Sequence, residues 1–201
     1  MSTAAAFRAL SRSVTGNLLP SLSRMALAAL LLFAAVPFAS AEGITISKAE
    51  IAPTEDGWTL NADFDIQFSQ KLEEAVTRGV PLAFVMEFEL SRPRWYWFDE
   101  KPVKQSQTYK ITYTPLLRQY RLSVGSLYQN FTRFDEVKRV LSRVRGWHVA
   151  DKGAVKVEGD YQANLRLRLD TGQLPKPFQL NAVASSDWAL NSEWHRWTVN
   201  P

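Results

Sequence analysis

Apolar and polar side chains alternate strongly and repeatedly along this chain, and this alternation limits its possible folds more than any other feature. In residues 161–169 the apolar side chains take the odd positions, and Gln, Asn and Arg take the even ones. Residues 58–68 and 82–90 place their large apolar side chains on the even positions. Successive side chains of a strand point to opposite faces, so each stretch predicts a strand with one buried face.

Further strands are predicted over shorter segments, namely residues 44–51, 103–114, 119–124, 147–149, 155–157, 179–183 and 188–199. The turn sequence Thr54–Gly57 joins the first two strands into a hairpin spanning residues 44–68. Many short alternating strands with few helices predict a mainly β protein. We therefore expect an antiparallel β-sandwich of the immunoglobulin-like type, with one amphipathic and one short helix.

Two helices are predicted among these strands. Ser69 is placed to cap a short helix over residues 70–78, which Gly79 ends. The longer helix is predicted over Thr132–Arg145, with Thr132 and Asp135 forming its capping box and Gly146 following its last residue. Residues 174–178, which contain two prolines, predict an extended linker.

The expected core consists of large side chains from the inward faces of these strands, namely Trp58, Phe64, Phe84, Phe88, Leu122, Leu165 and Leu167. The outer face of the longer predicted helix is strongly basic and carries Arg133, Lys138, Arg139, Arg143 and Arg145. Two interpretations stay open for this face. It is either a solvated surface whose cations suit a helix C-terminus, or a docking surface for an anionic lipid or an acidic partner.

Residues 1–41 have the pattern of a secretory signal peptide. Three arginines precede an apolar run of 12 residues, Met25–Val36, and the small residues Ala39-Ser-Ala41 follow Pro37. Because a membrane-spanning helix needs about 20 apolar residues, we expect cleavage before Glu42 and no stable membrane anchor afterwards. An uncleaved signal anchor is the alternative. The chain thus divides into a signal peptide (1–41) and a single β-sandwich domain (42–201), with the periplasm as its expected location.

The leader carries most of the excess positive charge. It holds three of the 24 Lys and Arg residues and none of the 20 Asp and Glu residues, so its removal reduces the net charge from +4 to about +1. A nearly neutral exported chain does not fit the basic surface that nucleic-acid binding requires. The chain has no cysteine, which excludes disulfides, thiol catalysis and thiolate metal sites.

The stretch S-R-P-R-W-Y-W-F-D-E-K, residues 91–101, is the most conspicuous candidate site. Continuing the register of residues 82–90 would bury the arginines, so we expect a bulge at Pro93 that reverses the two faces. Trp95 and Trp97 then point into the core. Arg92, Arg94, Tyr96 and Phe98 are the residues we predict to bind a partner, because guanidinium and aromatic groups suit carboxylate or phosphate ligands.

Recognisable catalytic chemistry is missing from the sequence. It contains no nucleophile elbow, phosphate-binding loop or dinucleotide fingerprint. His148 and His195 do not have metal-ligand spacing, so we predict neither a metal nor a cofactor. Asp63 and Asp65 share one solvated strand face, and a paired-carboxylate glycosidase is the weakest of the interpretations.

Four segments resemble the exported bacterial family DUF4390 across nearly all of the mature chain: R-P-R-W-Y-W-F-D-E (92–100), Y-T-P-L-L-R-Q-Y-R-L-S (113–123), L-D-T-G-Q-L-P-K-P-F-Q-L (169–180) and D-W-A-L (187–190). The resemblance implies an envelope protein of a Gram-negative, betaproteobacterial organism and transfers no catalytic residues. It also implies an association with an envelope sensor histidine kinase, because members are often encoded beside one.

Two main hypotheses for function follow. The first is a non-catalytic periplasmic binding or adaptor domain with a protein partner in the envelope. The second is an enzyme that acts on envelope glycan or peptide. A purely structural envelope module is a third hypothesis, and the sequence does not determine the oligomeric state.

Overall fold

The computed structural model describes residues 43–92, 100–155 and 160–199, with only the backbone at residues 100, 101, 183 and 184. Within these residues the strands are β1 (Ile44–Pro53), β2 (Gly57–Ile66), β3 (Leu82–Arg92), β4 (Glu100–Thr114), β5 (Gln119–Val124), β6 (Leu127–Phe131), β7 (Arg143–Asp151), β8 (Tyr161–Leu169) and β9 (His195–Val199). The α-helices are α1 (Gln70–Thr77), α2 (Phe134–Leu141) and α3 (Lys176–Ala184), with 3₁₀ turns at Thr171–Gln173 and Ser186–Trp188.

The strands form two antiparallel sheets that share one apolar core. One sheet has the order β1-β2-β7, and the other has the order β6-β5-β4-β3-β8-β9. Buried side chains from both sheets and from all the helices except α3 belong to a single contiguous cluster. The predicted mainly β, antiparallel sandwich is therefore confirmed, whereas its immunoglobulin-like classification stays a prediction.

The predicted alternation is clearest in strand β8, whereas its neighbour β3 also buries the odd positions Ala83 and Val85. Strand β8 alternates buried and more exposed residues along its whole length. In β3 the even positions from Leu82 to Leu90 are all at most 1% exposed. Phe88 pairs with Leu165 of β8 and with Gln105 of β4, so its ring enters the core from the middle of the sheet.

The predicted core is confirmed at six of its seven positions, since Phe64, Phe84, Phe88, Leu122, Leu165 and Leu167 are all buried. Trp58 is the exception, because it is half-buried and only packs against the edge of the core. It lies next to the hairpin turn and pairs with Pro53, the last residue of β1.

The predicted hairpin and short helix are confirmed. The backbone N–H of Leu72 donates a hydrogen bond of 3.3 Å to Ser69 Oγ, which caps α1. The same hydroxyl donates to the backbone oxygen of Asp187, 3.2 Å away. Leu72, Ala75 and Val76 form the buried stripe of this helix, and Gly79 follows it with a φ of +90°.

The longer helix is shorter than predicted at both ends. Glu136, not Asp135, completes its N-terminus, because the backbone N–H of Arg133 donates to Glu136 Oε2 at 3.3 Å. Helix α2 ends at Leu141, and residues 143–151 form strand β7 instead. Strand β7 pairs with β2 and so satisfies backbone groups that a continued helix would have left unpaired at the edge of this sheet.

The C-terminal segment also differs from the prediction. Helix α3 (Lys176–Ala184) takes the place of most of the predicted linker at 174–178 and of the whole predicted strand at 179–183. Pro177 is tolerated because the first turn of a helix needs no N–H donor. Within the predicted strand 188–199, only residues 195–199 form β9, and Asn191 makes an isolated bridge to Arg168. Residue 155 lies outside the strands, and residues 156 and 157 lie outside the described part of the chain.

A charge cluster on the outer face fixes the register between β3 and β8. Glu87 Oε2 accepts hydrogen bonds from Arg166 Nε at 2.9 Å and from Arg168 Nε at 3.4 Å. The Arg166 guanidinium also lies 4.5 Å from the centre of the Trp194 ring. Burial opposes ionisation of Glu87, but the hydrogen bonds and charges of both arginines outweigh burial and lower the pKa of this carboxyl.

Replacing Glu87 by glutamine is expected to lower the free energy of unfolding at pH 7 by about 1–2 kcal/mol, because the charge-assisted hydrogen bonds from Arg166 and Arg168 are weakened or lost. Since the folded-state pKa lies below the ordinary value of 4.5, the contribution is complete above pH 4.5 and disappears as the pH falls through the folded-state pKa. Urea denaturation at pH 7 and pH 3 measures this difference. Glu50→Gln, which breaks the exposed pair with Lys48, is the matched control. Equal effects of the two variants at pH 7 would contradict a stabilising role for Glu87.

Candidate functional site: an arginine-lined groove

The residues predicted to bind a partner are only partly described. Arg92 is the last residue of β3, is half-buried and pairs with Glu100. Arg94, Tyr96 and Phe98, together with Pro93, Trp95 and Trp97, lie outside the described residues, so this site and its bulge stay predictions.

The register between β3 and β4 does shift close to this position. Leu90 pairs with Val103, whereas Arg92 pairs with Glu100. One residue separates the two positions on β3, but two residues, Lys101 and Pro102, separate them on β4. The extra residue therefore belongs to β4, where a proline fits because a bulge needs no ladder donor.

The predicted basic helix face is divided by the early end of α2. Arg133, Lys138 and Arg139 precede or belong to the helix, whereas Arg143 and Arg145 lie on strand β7. Lys138 Nζ lies 2.8 Å from Asp135 Oδ1 and 3.0 Å from Glu73 Oε1. Burial lowers the pKa of Lys138, but these two carboxylates outweigh burial and raise it. Arg133 also pairs with Asp135, at 3.4 Å, so these two cations have carboxylate partners.

Arg145 is held in place by a bulge in strand β7. Leu60 pairs with Trp147 and Ala62 with Val144, so two residues of β7 oppose Asn61 alone. Gly146 adopts a φ of +63° in this bulge, and its N–H donates to Asn61 Oδ1 at 2.9 Å.

The guanidinium of Arg145 has backbone and carboxylate partners. Its Nη1 donates to the backbone oxygens of Ala62 at 2.9 Å and Val144 at 2.8 Å. Its Nη2 forms an ion pair with Asp63 Oδ1. Arg145 therefore secures the junction between β2 and β7, and its charge is compensated.

Two arginines remain, and they line the same groove. Arg139 and Arg143 are exposed and have no carboxylate partner within the described residues. The groove has a volume of about 580 Å³ and is lined by Ser47, Asp63, Arg139, Ser142, Arg143 and Arg145. Its three guanidiniums face one carboxylate, so we call it the arginine groove.

The chemistry of this groove is suited to binding an anion. Two uncompensated guanidiniums that line one groove repel each other, and an anion that contacts both removes this repulsion. Each guanidinium can donate two parallel hydrogen bonds to a carboxylate or phosphate group. The hydroxyl group of Ser142 is a further donor at the wall of the groove, whereas that of Ser47 already donates to the backbone oxygen of Asp63 at 3.0 Å.

Two other concavities of the described chain have charges that are already paired. A pocket of about 420 Å³ contains Glu87 and Arg166, which bind each other, and Glu89, which lies 3.2 Å from Lys104. A second pocket, of about 370 Å³ between α1 and α3, contains Lys71 paired with Asp187 and Arg78 paired with Glu74. Neither offers two uncompensated cations to a ligand.

The two histidine side chains each contact a neighbouring side chain. His148 Nε2 lies 3.0 Å from Asp151 Oδ1, and the His195 ring packs 5.5 Å from the ring of Trp197. Among residues 43–92, 100–155 and 160–199, no three His, Asp or Glu side chains are grouped as metal ligands. The helices in this part of the chain are also too short or too polar to cross a membrane.

Sequence reasoning identified the arginines of the groove but placed Arg143 and Arg145 on a helix, whereas both lie on strand β7. The alternation of Arg143, Val144 and Arg145 around a single buried valine has the period of a strand, and this was the available signal. The helical spacing of Val137, Leu141 and Val144 obscured it. The ion pair between Arg145 and Asp63 joins residues 82 positions apart, so no local pattern contains it.

Comparison with known proteins gives a family but no activity. The family model described as "Domain of unknown function (DUF4390)" matches residues 41–198. No curated protein and no solved structure is similar enough to this chain to count as a match.

Proposed function

The chain belongs to the DUF4390 family, and we propose that it is an exported, non-catalytic periplasmic binding or adaptor domain that recognises an anionic group through Arg139 and Arg143. The signal-peptide pattern of residues 1–41 supports export from the cytoplasm. The partner is an envelope molecule that presents a carboxylate or phosphate. The sensor kinase implied by the family resemblance is one such partner if it exposes an acidic segment.

One observation carries this proposal: two exposed arginines line one groove without a carboxylate partner in the described residues, while their neighbours Lys138 and Arg145 are both paired. A surface evolved only for solubility does not need two like charges to face the same concavity. The two cations are therefore available to a ligand.

The alternative of a glycan- or peptide-acting enzyme receives less support from the same region. Asp63, one of its two candidate carboxylates, is bound by the Arg145 guanidinium. Asp65 Oδ1 accepts a hydrogen bond from Gln67 Nε2 at 2.7 Å. A general acid must exchange a proton with its substrate, which an arginine-bound carboxylate does poorly.

Replacing both Arg139 and Arg143 by glutamine is expected to weaken binding of inorganic phosphate at least tenfold, because charge-assisted hydrogen bonds are lost at two positions. Calorimetric titration at low ionic strength measures this loss, and added salt should weaken binding to the unmodified protein. We expect a dissociation constant in the millimolar range for an ion as small as phosphate.

The matched control is Arg196→Gln, which removes an exposed arginine of β9 and changes the net charge by the same amount per substitution. It should leave phosphate binding unchanged. Because Arg139 and Arg143 are exposed, their replacement should alter the free energy of unfolding by less than about 0.5 kcal/mol per site. Equal loss of binding in the control, or no loss in the double variant, would refute the proposed site.

A further inference from the structure

An apolar cleft adjoins the arginine groove. It lies between the larger sheet and the start of β7 and has a volume of about 320 Å³. Leu122, Val124, Val140 and Trp147 contribute apolar walls, and Arg143 and Arg145 line both this cleft and the arginine groove. One continuous surface therefore passes from an apolar concavity to uncompensated cations.

Apolar side chains near this cleft are less covered than is usual for a core. Val140 of α2 is 39% exposed and faces the cleft. Leu127, which is 77% exposed, pairs in the sheet with Val124 of the cleft wall. Contiguous exposed apolar surface beside polar groups is typical of a binding site.

The polar groups within the cleft add no negative charge. Burial raises the pKa of Tyr109 to about 12, so its phenol stays neutral at periplasmic pH. Gln107 also lines the cleft, and its Oε1 is buried without a hydrogen-bond partner in the described residues. An unpaired buried acceptor is unfavourable in the free protein. A rotation of this amide would offer a neutral hydrogen-bonding group to a ligand.

We propose that the cleft and the arginine groove together bind one single-chain anionic amphiphile derived from membrane lipid, with its tail in the cleft and its carboxylate or phosphate head at Arg139 and Arg143. This inference rests on the proposed anion-binding function and specifies its ligand. The cleft volume lies at the lower end of the range for small-molecule sites, which suits part of one acyl chain better than two chains.

Calorimetric titrations with decyl phosphate below its micelle concentration, inorganic phosphate and decyltrimethylammonium test this proposal. Decyl phosphate is expected to bind at least tenfold more tightly than inorganic phosphate, which corresponds to burial of about two methylene groups. The cationic amphiphile has the same tail, and it should bind more weakly than decyl phosphate because the arginines repel its head.

Val140→Gln separates the tail site from the head site. This neutral change at a partly exposed helix position should abolish the advantage of decyl phosphate but leave the affinity for inorganic phosphate unchanged. Leu180→Gln, at an exposed position of α3, is the matched control and should change neither affinity. Methyl resonances of Val124 and Val140 should shift with decyl phosphate and not with inorganic phosphate.

The outcomes distinguish this inference from the function on which it rests. Equal affinities for decyl phosphate and inorganic phosphate would overturn the amphiphile proposal and leave anion binding intact. Binding of decyltrimethylammonium as tight as that of decyl phosphate would overturn it as well, since the tail alone would then decide binding. Absence of binding by both phosphates would overturn both proposals. An acidic peptide that binds more tightly than decyl phosphate and is unaffected by Val140→Gln would assign the groove to a protein partner instead.

Discussion

Replacing Phe88 by alanine is expected to lower the free energy of unfolding by about 3–5 kcal/mol. Phe88 is fully buried in the central part of β3, between β4 and β8, and its ring centre lies 6.3 Å from that of Trp197. Both neighbouring strands are hydrogen-bonded to β3, so the sheet has little freedom to collapse into the cavity. Chemical denaturation with the unmodified protein as reference measures the loss.

Leu127→Ala is the control for this prediction, because Leu127 is a large apolar residue that is mostly exposed on the edge strand β6. Its replacement should change the free energy of unfolding by no more than about 0.5 kcal/mol. A loss below about 1 kcal/mol for Phe88→Ala would mean that the even positions of β3 do not form the core.

Replacing Gly57 by alanine is expected to destabilise the protein by about 3 kcal/mol or more, since steric overlap adds to backbone strain. Gly57 begins β2 with a φ of +153°, and a Cβ atom at this position would lie 2.1 Å from the backbone oxygen of Ala150. That oxygen belongs to β7, so the two strands would have to separate. The shift of the thermal or denaturant midpoint measures the effect.

Gly125→Ala provides the comparison that separates strain from overlap. Gly125 has a φ of +57°, but a Cβ atom there would have no neighbour within 4 Å. Its replacement should therefore destabilise the protein only through backbone strain, by about 1–2 kcal/mol. If the two variants lost the same stability, the close approach of β2 and β7 at Gly57 would not be a determinant of the fold.

Most strands of this protein are predictable from sequence, because they have one buried face and the side-chain period reports burial directly. Strand β8 illustrates this, since every apolar residue of its odd positions is buried. Strand β6 was not predicted, since four of its five residues are exposed. Prediction fails where a segment is short and its partner is distant in sequence. Helix α2 ends at Leu141, and the chain then pairs with β2 as strand β7. The helical spacing of Val137, Leu141 and Val144 hides the strand period of Arg143–Arg145.

Helix α3 shows a different reason for failure. Pro175 before the helix, Pro177 in its first turn and the apolar residues that follow fit an extended segment as well as the start of a helix. Packing decides between these two conformations. The Phe178 ring of α3 lies 5.7 Å from the ring of Trp188, which belongs to the following 3₁₀ turn. Local propensity is a weak determinant when tertiary contacts of this size oppose it.

Only part of the arginine groove could be predicted from the sequence. Sequence reasoning recognised a basic surface around residues 133–145 but could not decide between a solvated face and a docking surface. The decision depends on which cations have partners, and those partners come from distant elements, namely Glu73 of α1 and Asp63 of β2. Only after these pairs are assigned do Arg139 and Arg143 stand out as available to a ligand.

The most direct test of this account follows the arginine side chains themselves during a phosphate titration. In nitrogen–proton correlation spectra, the Nε–H resonances of Arg139 and Arg143 should shift together and give the same dissociation constant. The resonances of Arg166 and Arg168, whose guanidiniums bind Glu87, should stay in place. Shifts confined to other arginines, or equal small shifts of all of them, would show that the groove is not an anion-binding site.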